Sequence, residues 1–275
     1  MSSKAMSLKA KVRNHAKNKG IAAQVVLQNY MFERLLERIS LSEYKDKIIL
    51  KGGVLIAALV GLETRSTMDL DTTIRAFPLN EVHLRNAFDR ICAIDINDDV
   101  LFKLTGVTST RKDDVYGGFR VSLESIYDTI TTPLSIDITS GDALTPGAVR
   151  YSLQGIFDKN KKIELWTYNI ETILAEKVET ILRRGVFNTR SRDFYDVYIL
   201  TKTQKYVPGV FHKALDATAT YRDTKDKIAD VSQILDTIAE SSELKASWGK
   251  YQREFSYAAN IAYENVIMML KTLFN

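Results

Sequence analysis

Cysteine is almost missing from this sequence: Cys92 is the only one in 275 residues. An intramolecular disulfide is therefore impossible, and zinc sites built from paired cysteines are excluded. A single cysteine suits a reducing compartment. Histidine is scarce as well. His15, His83 and His212 are scattered, with no partner at metal-ligand spacing and no Ser or Cys motif nearby, so nucleophilic triads have no support. Long apolar runs are lacking too, since the longest, 54–60, falls far short of the ~20 residues that a membrane helix needs. Lys4, Lys9, Lys11, Arg13, Lys17 and Lys19 have no apolar segment behind them and do not read as a secretory signal. The expected compartment is the cytoplasm, with no membrane partner. Acidic residues are missing from the first stretch, as none precedes Glu33. Residues 1–20 thus read as a basic arm, a solvated and partly frayed helix on the general behaviour of termini, with contact to RNA phosphates as the alternative. The net charge of +4 is too small to establish nucleic-acid binding by itself.

What is present is the composition of a globular protein, 45% hydrophobic and 26% charged, enough to bury a full core. Val25, Val26, Tyr30, Phe32, Leu35 and Leu36 recur at helical spacing and predict an amphipathic helix ending near Ile39. Residues 47–50 read as a short strand that stops at Gly52-Gly53, with a helix over 54–62. A Thr- and Ile-rich strand is expected over 68–77, a helix over 85–91, and further strands over 101–109, 119–126 and 134–139. Tyr116-Gly117-Gly118-Phe119 is a hairpin signal, because paired glycines supply the positive φ of tight turns. From Ile170 onward the pattern is helical, over 170–184, 191–203, 208–220, 226–240 and 256–273. A β-rich half followed by a helical half predicts an α+β fold. The expected boundaries are a basic arm at 1–20, a mixed-sheet domain at 21–165 and a helical domain at 166–275.

Three features carry chemistry. Glycines between a strand and a helix, Gly52-Gly53, let the backbone approach a ligand where free N–H groups favour phosphate; a plain tight turn is the simpler reading. Asp69 and Asp71, two apart on a strand, share one face, while Leu70 points to the core. Two carboxylates side by side repel unless a cation or hydrogen-bond donors compensate, and Mg²⁺ is the economical cation. Asp137 sits between isoleucines in a later strand and would complete an oxygen-rich metal cage of Asp69, Asp71 and Asp137 of the kind nucleotidyl transfer uses. On the helix over 170–184, Lys177 falls inside the apolar sector of Ile170, Ile173, Leu174, Val178, Ile181 and Leu182. It either snorkels to water or points to a carboxylate or a triphosphate.

Lys51-Gly52-Gly53, Arg65-x-Thr67-x-Asp69-Leu70-Asp71, Ile136-Asp137-Ile138 before Gly141-Asp142, Ala175-Glu176-Lys177 and Arg192-Asp193-Phe194-Tyr195-Asp196 follow one another in the order of the AbiEii/AbiGii toxin nucleotidyltransferases, which this sequence resembles over 51–200. Two positions depart from the pattern: Gly53 stands where many nucleotidyltransferases carry Ser, and Thr67 where the family commonly carries Ser. The resemblance implies a nucleotidyltransferase fold and a toxin of a toxin–antitoxin system. It implies nucleotide-binding roles for Lys51, Gly52, Gly53, Arg65, Thr67 and Asp193, and catalytic roles for Asp69, Asp71, Asp137, Lys177 and Asp196. It further implies a nucleoside triphosphate substrate, an RNA acceptor such as the 3′ end of a tRNA, and a separately encoded antitoxin. A protein hydroxyl is an alternative acceptor. Two other readings compete: an Asp-x-Asp glycosyltransferase, which leaves Gly52-Gly53 and Asp137 unexplained, and a non-catalytic nucleotide-binding interaction module.

Overall fold

The computed structural model of the protein describes residues 3–110 and 117–274. The chain divides into two units: Met1–Gly141 with Val149–Thr167, and Asp142–Ala148 with Tyr168–Asn275. The first unit runs α1 (Ser3–Lys19), α2 (Ala23–Leu41), β1 (Ile48–Lys51), α3 (Gly52–Val60), β2 (Leu70–Ile74), α4 (Glu81–Cys92), β3 (Val100–Ser109), β4 (Phe119–Tyr127), β5 (Ile130–Ser140), β6 (Val149–Gln154) and β7 (Lys162–Thr167). The second holds α5 (Ile170–Arg184), α6 (Ser191–Thr203), α7 (Pro208–Tyr221), α8 (Val231–Glu240), α9 (Ser242–Glu254) and α10 (Tyr263–Thr272). This is the α+β fold expected. No helix among the described residues is long and apolar enough to cross a membrane.

The strands form one seven-stranded sheet in the order β3-β4-β5-β2-β1-β7-β6. β2 runs parallel to β5 and antiparallel to β1, and β1 is parallel to β7. Parallel neighbours need crossover connections, so the centre of the sheet is assembled from segments far apart in sequence. Leu70, Ile136, Ile138, Ile49 and Leu50 are buried in it. On α2, Val26, Met31, Phe32, Leu35, Leu36 and Ile39 are buried, and the helix packs on β5, β7 and α4. Burying a Leu, Ile or Phe side chain contributes about 1.5–3 kcal/mol, so this face alone is a large share of what holds the helix down.

The same helix carries charge into the core. Arg38, 2% exposed, donates to both carboxylate oxygens of Asp98 at 3.0 and 2.8 Å and to the Val100 carbonyl at 2.7 Å. Its remaining face lies over the Phe102 ring. A buried guanidinium is tolerated because its two terminal nitrogens are paired with a carboxylate and carbonyls, although its Nε is enclosed without a partner among the described residues.

The basic stretch is α1, a regular helix. Ala5, Leu8, Val12 and Ala16 form its buried stripe against α2, so the lysines on the other face are carried by an anchored element of the first unit. β3 and β4 pair antiparallel, Ser109 opposite Phe119; the turn expected at 116–119 falls partly on Tyr116, which lies outside the described residues, and Gly118 does not have a positive φ.

Strands β6 and β7 and helix α9 were not expected. β6 is an edge strand with no alternation of buried and exposed positions, so period-2 reasoning has nothing to detect. β7 buries Ile163, Leu165 and Thr167 in alternation, but it is short and lies next to the helical half. α9 buries Leu244, Trp248 and Tyr251, a helical spacing in a segment otherwise too polar to stand out.

Two expected helices are shorter than their periodicity suggested. Asp230 accepts the Gln233 N–H at 2.9 Å and so starts α8 at Val231 rather than 226. A single 3₁₀ turn at Ser256–Ala258 precedes α10, which begins at Tyr263.

Candidate active site

The sheet register builds the site. Lys51 pairs with Asp71 across β1 and β2, Asp71 with Asp137 across β2 and β5, and Asp137 with Arg120 across β5 and β4. Residues directly opposite one another share a face of the sheet. Four neighbouring strands therefore present one transverse row in the order cation, carboxylate, carboxylate, cation. Asp69 lies just before β2 and is exposed. Leu70 between the acids is fully buried, as the alternation of a strand demands.

Asp71 is held close to the glycine turn. Gly52 has φ +64°, a left-handed conformation that favours glycine, and a Cβ there would overlap the Asp71 carboxylate. The Gly53 N–H points to the Asp71 Oδ2 at 3.4 Å. The tight-turn reading of the glycine pair therefore holds, since the turn needs positive φ, and the absent side chain lets the Asp71 carboxylate come close to the start of α3.

A Cβ on Gly53 would meet the Thr67 Oγ1 at 2.5 Å. Thr67 and Arg65, within the loop that delivers Asp69, are 4% and 2% exposed, so both side chains are enclosed by protein. The Arg65 guanidinium donates to the Ser66 carbonyl at 2.6 Å, and Asn29 on α2 donates to the Thr67 carbonyl at 2.7 Å.

Arg120 is the site residue that sequence reasoning missed. Its Nε and Nη2 donate to the two oxygens of Asp137 at 2.7 and 2.8 Å, a fork that only arginine offers. The hydrogen bond and charge of Asp137, and then Asp69 and Asp71, raise its pKa further above the ordinary arginine value. The signal was present but weak. Arg120 lies in Phe119–Tyr127, a strand whose alternation was legible, yet its partner is known only once β4 and β5 are in register.

The second unit has its own charged cluster. On α5, Ile173, Leu174, Val178, Ile181 and Leu182 are buried, and Lys177 among them donates to the Asp193 Oδ1 at 2.6 Å and lies 3.1 Å from the Asp196 Oδ2. Of the two options open to Lys177, a carboxylate partner is the one observed. Asp196 is fully buried and Asp193 nearly so, and the second oxygen of Asp193 is enclosed without a hydrogen-bond partner. Asp196 therefore faces Lys177, and the surface pair between Arg192 and Asp196 that their spacing allowed is replaced by Arg192 stacking over Phe255.

Do the acids of the sheet fit Mg²⁺? No group of three His, Cys, Asp or Glu side chains among the described residues stands ready as a metal cage, and Arg120 engages both oxygens of Asp137. Mg²⁺, however, is usually bound through one or two carboxylates, with substrate phosphates and water completing its shell. Asp71 on β2 and Asp69 just before it are hard oxygen donors two positions apart, the donor type and number of that lesser requirement.

A mixed sheet with a Gly-Gly turn entering a helix, and carboxylates aligned on adjacent strands beside it, agrees with what the resemblance in the sequence implied. Solved structures share the fold: that of JHP933 from Helicobacter pylori, 16% identical, covering 92% of each chain with a TM-score of 0.50; and a crystal structure from H. pylori assigned as a nucleotidyltransferase, also 16% identical, covering 92% of this chain and 96% of that one with a TM-score of 0.50. No curated protein matches the sequence. The model of the nucleotidyl transferase AbiEii toxin family, of type IV toxin–antitoxin systems, matches residues 34–267. The chain belongs to that family and is a nucleotidyltransferase.

Proposed function

We propose that the protein moves a nucleotide from a nucleoside triphosphate onto a hydroxyl of RNA, the 3′ end of a tRNA foremost, and that a cognate antitoxin opposes it. The observation that carries this reading is the row of Asp71 and Asp137 between Lys51 and Arg120, with Asp69 beside it. Such a face suits a polyanionic substrate only if its carboxylates are shared with a divalent cation, because bare carboxylates repel phosphate. Asp69 and Asp71 would hold Mg²⁺, which when bound neutralises phosphate charge and polarises the phosphorus.

The chain's own groups do the rest. The amides at Gly52 and Gly53 and the Lys51 ammonium would receive phosphate oxygens, while Arg65 and Thr67 keep the loop in place beneath. Asp137 would accept the hydrogen bond of the attacking hydroxyl and take its proton. The hydroxyl oxygen bonds to the α-phosphorus, the bond to the bridging oxygen breaks, and pyrophosphate leaves. The same reading gives Lys177 and Asp196 catalytic roles and Asp193 a nucleotide-binding one. A glycosyltransferase would make no use of the Gly52–Asp71 approach or of Asp137.

The test is incubation of the purified protein with Mg²⁺, each α-labelled nucleoside triphosphate and total tRNA, beside Asp69→Ala. Label that reaches RNA with the unsubstituted protein and not with the variant supports the reading and identifies the nucleotide. Nucleotide that binds without transfer to RNA or to any added protein favours the non-catalytic module.

A further inference from the structure

We propose that Arg120 is an exchangeable latch: it occupies Asp137 while the site awaits substrate, and on nucleotide binding its guanidinium passes to the phosphates and releases Asp137 for the acceptor hydroxyl. The inference rests on the nucleotidyl-transfer reading above and adds to it a phosphate-binding residue and a reason for its order of events.

Three observations carry it. First, the pair is well made but open to solvent, with Arg120 51% and Asp137 34% exposed. Exposed pairs contribute little to stability, so this one opens at small cost, in contrast to the sealed pair of Arg38 with Asp98.

Second, Arg120 uses its fork on both Asp137 oxygens. A phosphate offers the same spacing of acceptors and more charge, and so competes for that fork on equal geometric terms. Asp137 cannot accept from an attacking hydroxyl with full effect while both of its oxygens serve Arg120.

Third, the row is symmetric in charge. Lys51 borders Asp71 on one side as Arg120 borders Asp137 on the other, and the charges of Asp69 and Asp71 also act on Arg120. A guanidinium that leaves Asp137 therefore stays over an acidic face, where a phosphate chain held by a divalent cation would lie.

Calorimetric titration tests this on the full chain, using Mn²⁺ alone and then the α,β-methylene analogues of the four nucleoside triphosphates with Mg²⁺. Arg120→Gln removes a positive neighbour of the acids and should bind Mn²⁺ about tenfold more tightly. It should bind the analogue about tenfold more weakly, because a charge-assisted contact is gone. Arg120→Lys keeps the charge without the fork, so Mn²⁺ affinity should stay near that of the unsubstituted protein while analogue affinity falls several-fold. Arg90→Gln removes a cation that is 66% exposed and paired with Glu43, and should change neither constant. Thermal melting of each variant confirms that it is folded. Analogue binding by Arg120→Gln as tight as that of the unsubstituted protein, or effects equal to those of Arg90→Gln, overturns the latch. No analogue binding by the unsubstituted protein overturns the nucleotide reading, and the latch with it.

Discussion

Replacing Gly52 by Ala tests whether the glycine turn serves the fold, the site or both. The backbone there sits at φ +64°, and holding Ala in the left-handed region costs about 1–2 kcal/mol. Gly20 has nearly the same φ, +65°, with nothing within 4 Å of an added methyl, so Gly20→Ala meets that backbone cost alone. At Gly52 the methyl would also overlap the Asp71 carboxylate. The turn is bound into the start of α3 and Asp71 into the centre of the sheet, so the carboxylate must rotate or shift by roughly 1 Å, a displacement that at a reacting centre lowers rates by about 10²-fold. Gly20→Ala should therefore lose about 1–2 kcal/mol in urea denaturation and Gly52→Ala more than that, because the overlap adds to the backbone cost, whereas only Gly52→Ala should lose about 10²-fold in label transfer to RNA. Nucleotide transfer by Gly52→Ala equal to that of Gly20→Ala would refute the reasoning, since the close approach of Gly52 to Asp71 would then be without consequence.

Asp98→Asn should cost about 3 kcal/mol, because it leaves the enclosed Arg38 without its counter-charge. Burial alone would raise the Asp98 pKa, but the hydrogen bonds and charge of Arg38 hold it below the usual carboxylate value. Its contribution is therefore complete above the unfolded carboxylate pKa and is lost as pH falls through the lower, folded one. Urea denaturation from pH 7 downward should show a shallower acid limb in Asp98→Asn, and an unchanged limb would contradict the assignment. Burial, and then the charge of Asp89, push the Cys92 thiol up to about 12. At pH 8 the thiol is then held protonated, so iodoacetamide should label the folded protein more slowly than the urea-unfolded one. Labelling of the native protein as fast as that of the unfolded one would show that the half-buried thiol is not held protonated.

Much of the site was legible from order along the chain. Gly52-Gly53 at a helix start, Leu70-Asp71 on a strand and Asp137 between isoleucines each announce their local geometry, because the side-chain period of a strand and the backbone freedom of glycine are properties of a few consecutive residues; the strand expected over 68–77 spans only Leu70–Ile74 and leaves Asp69 just before it. The buried sector around Lys177 was legible for the same reason, since the helix repeat is local. The partner of Lys177 could be narrowed only to an anion, and its choice of Asp193 and Asp196 depends on how α5 meets α6.

The sequence by itself determined the residue types, the periodicities that make the helices and most of the strands, and the candidate acids of the site. Only the tertiary structure decided which strands are neighbours. That choice aligned Asp71 with Asp137 from 66 positions away along the chain, set Arg120 on Asp137, and turned Arg65 and Thr67 inward. Strand register is fixed by packing across the sheet, by burial of Leu70, Ile136 and Ile138 on its inner face. No local pattern records it, because each strand's own alternation is equally satisfied beside any partner that buries the same face.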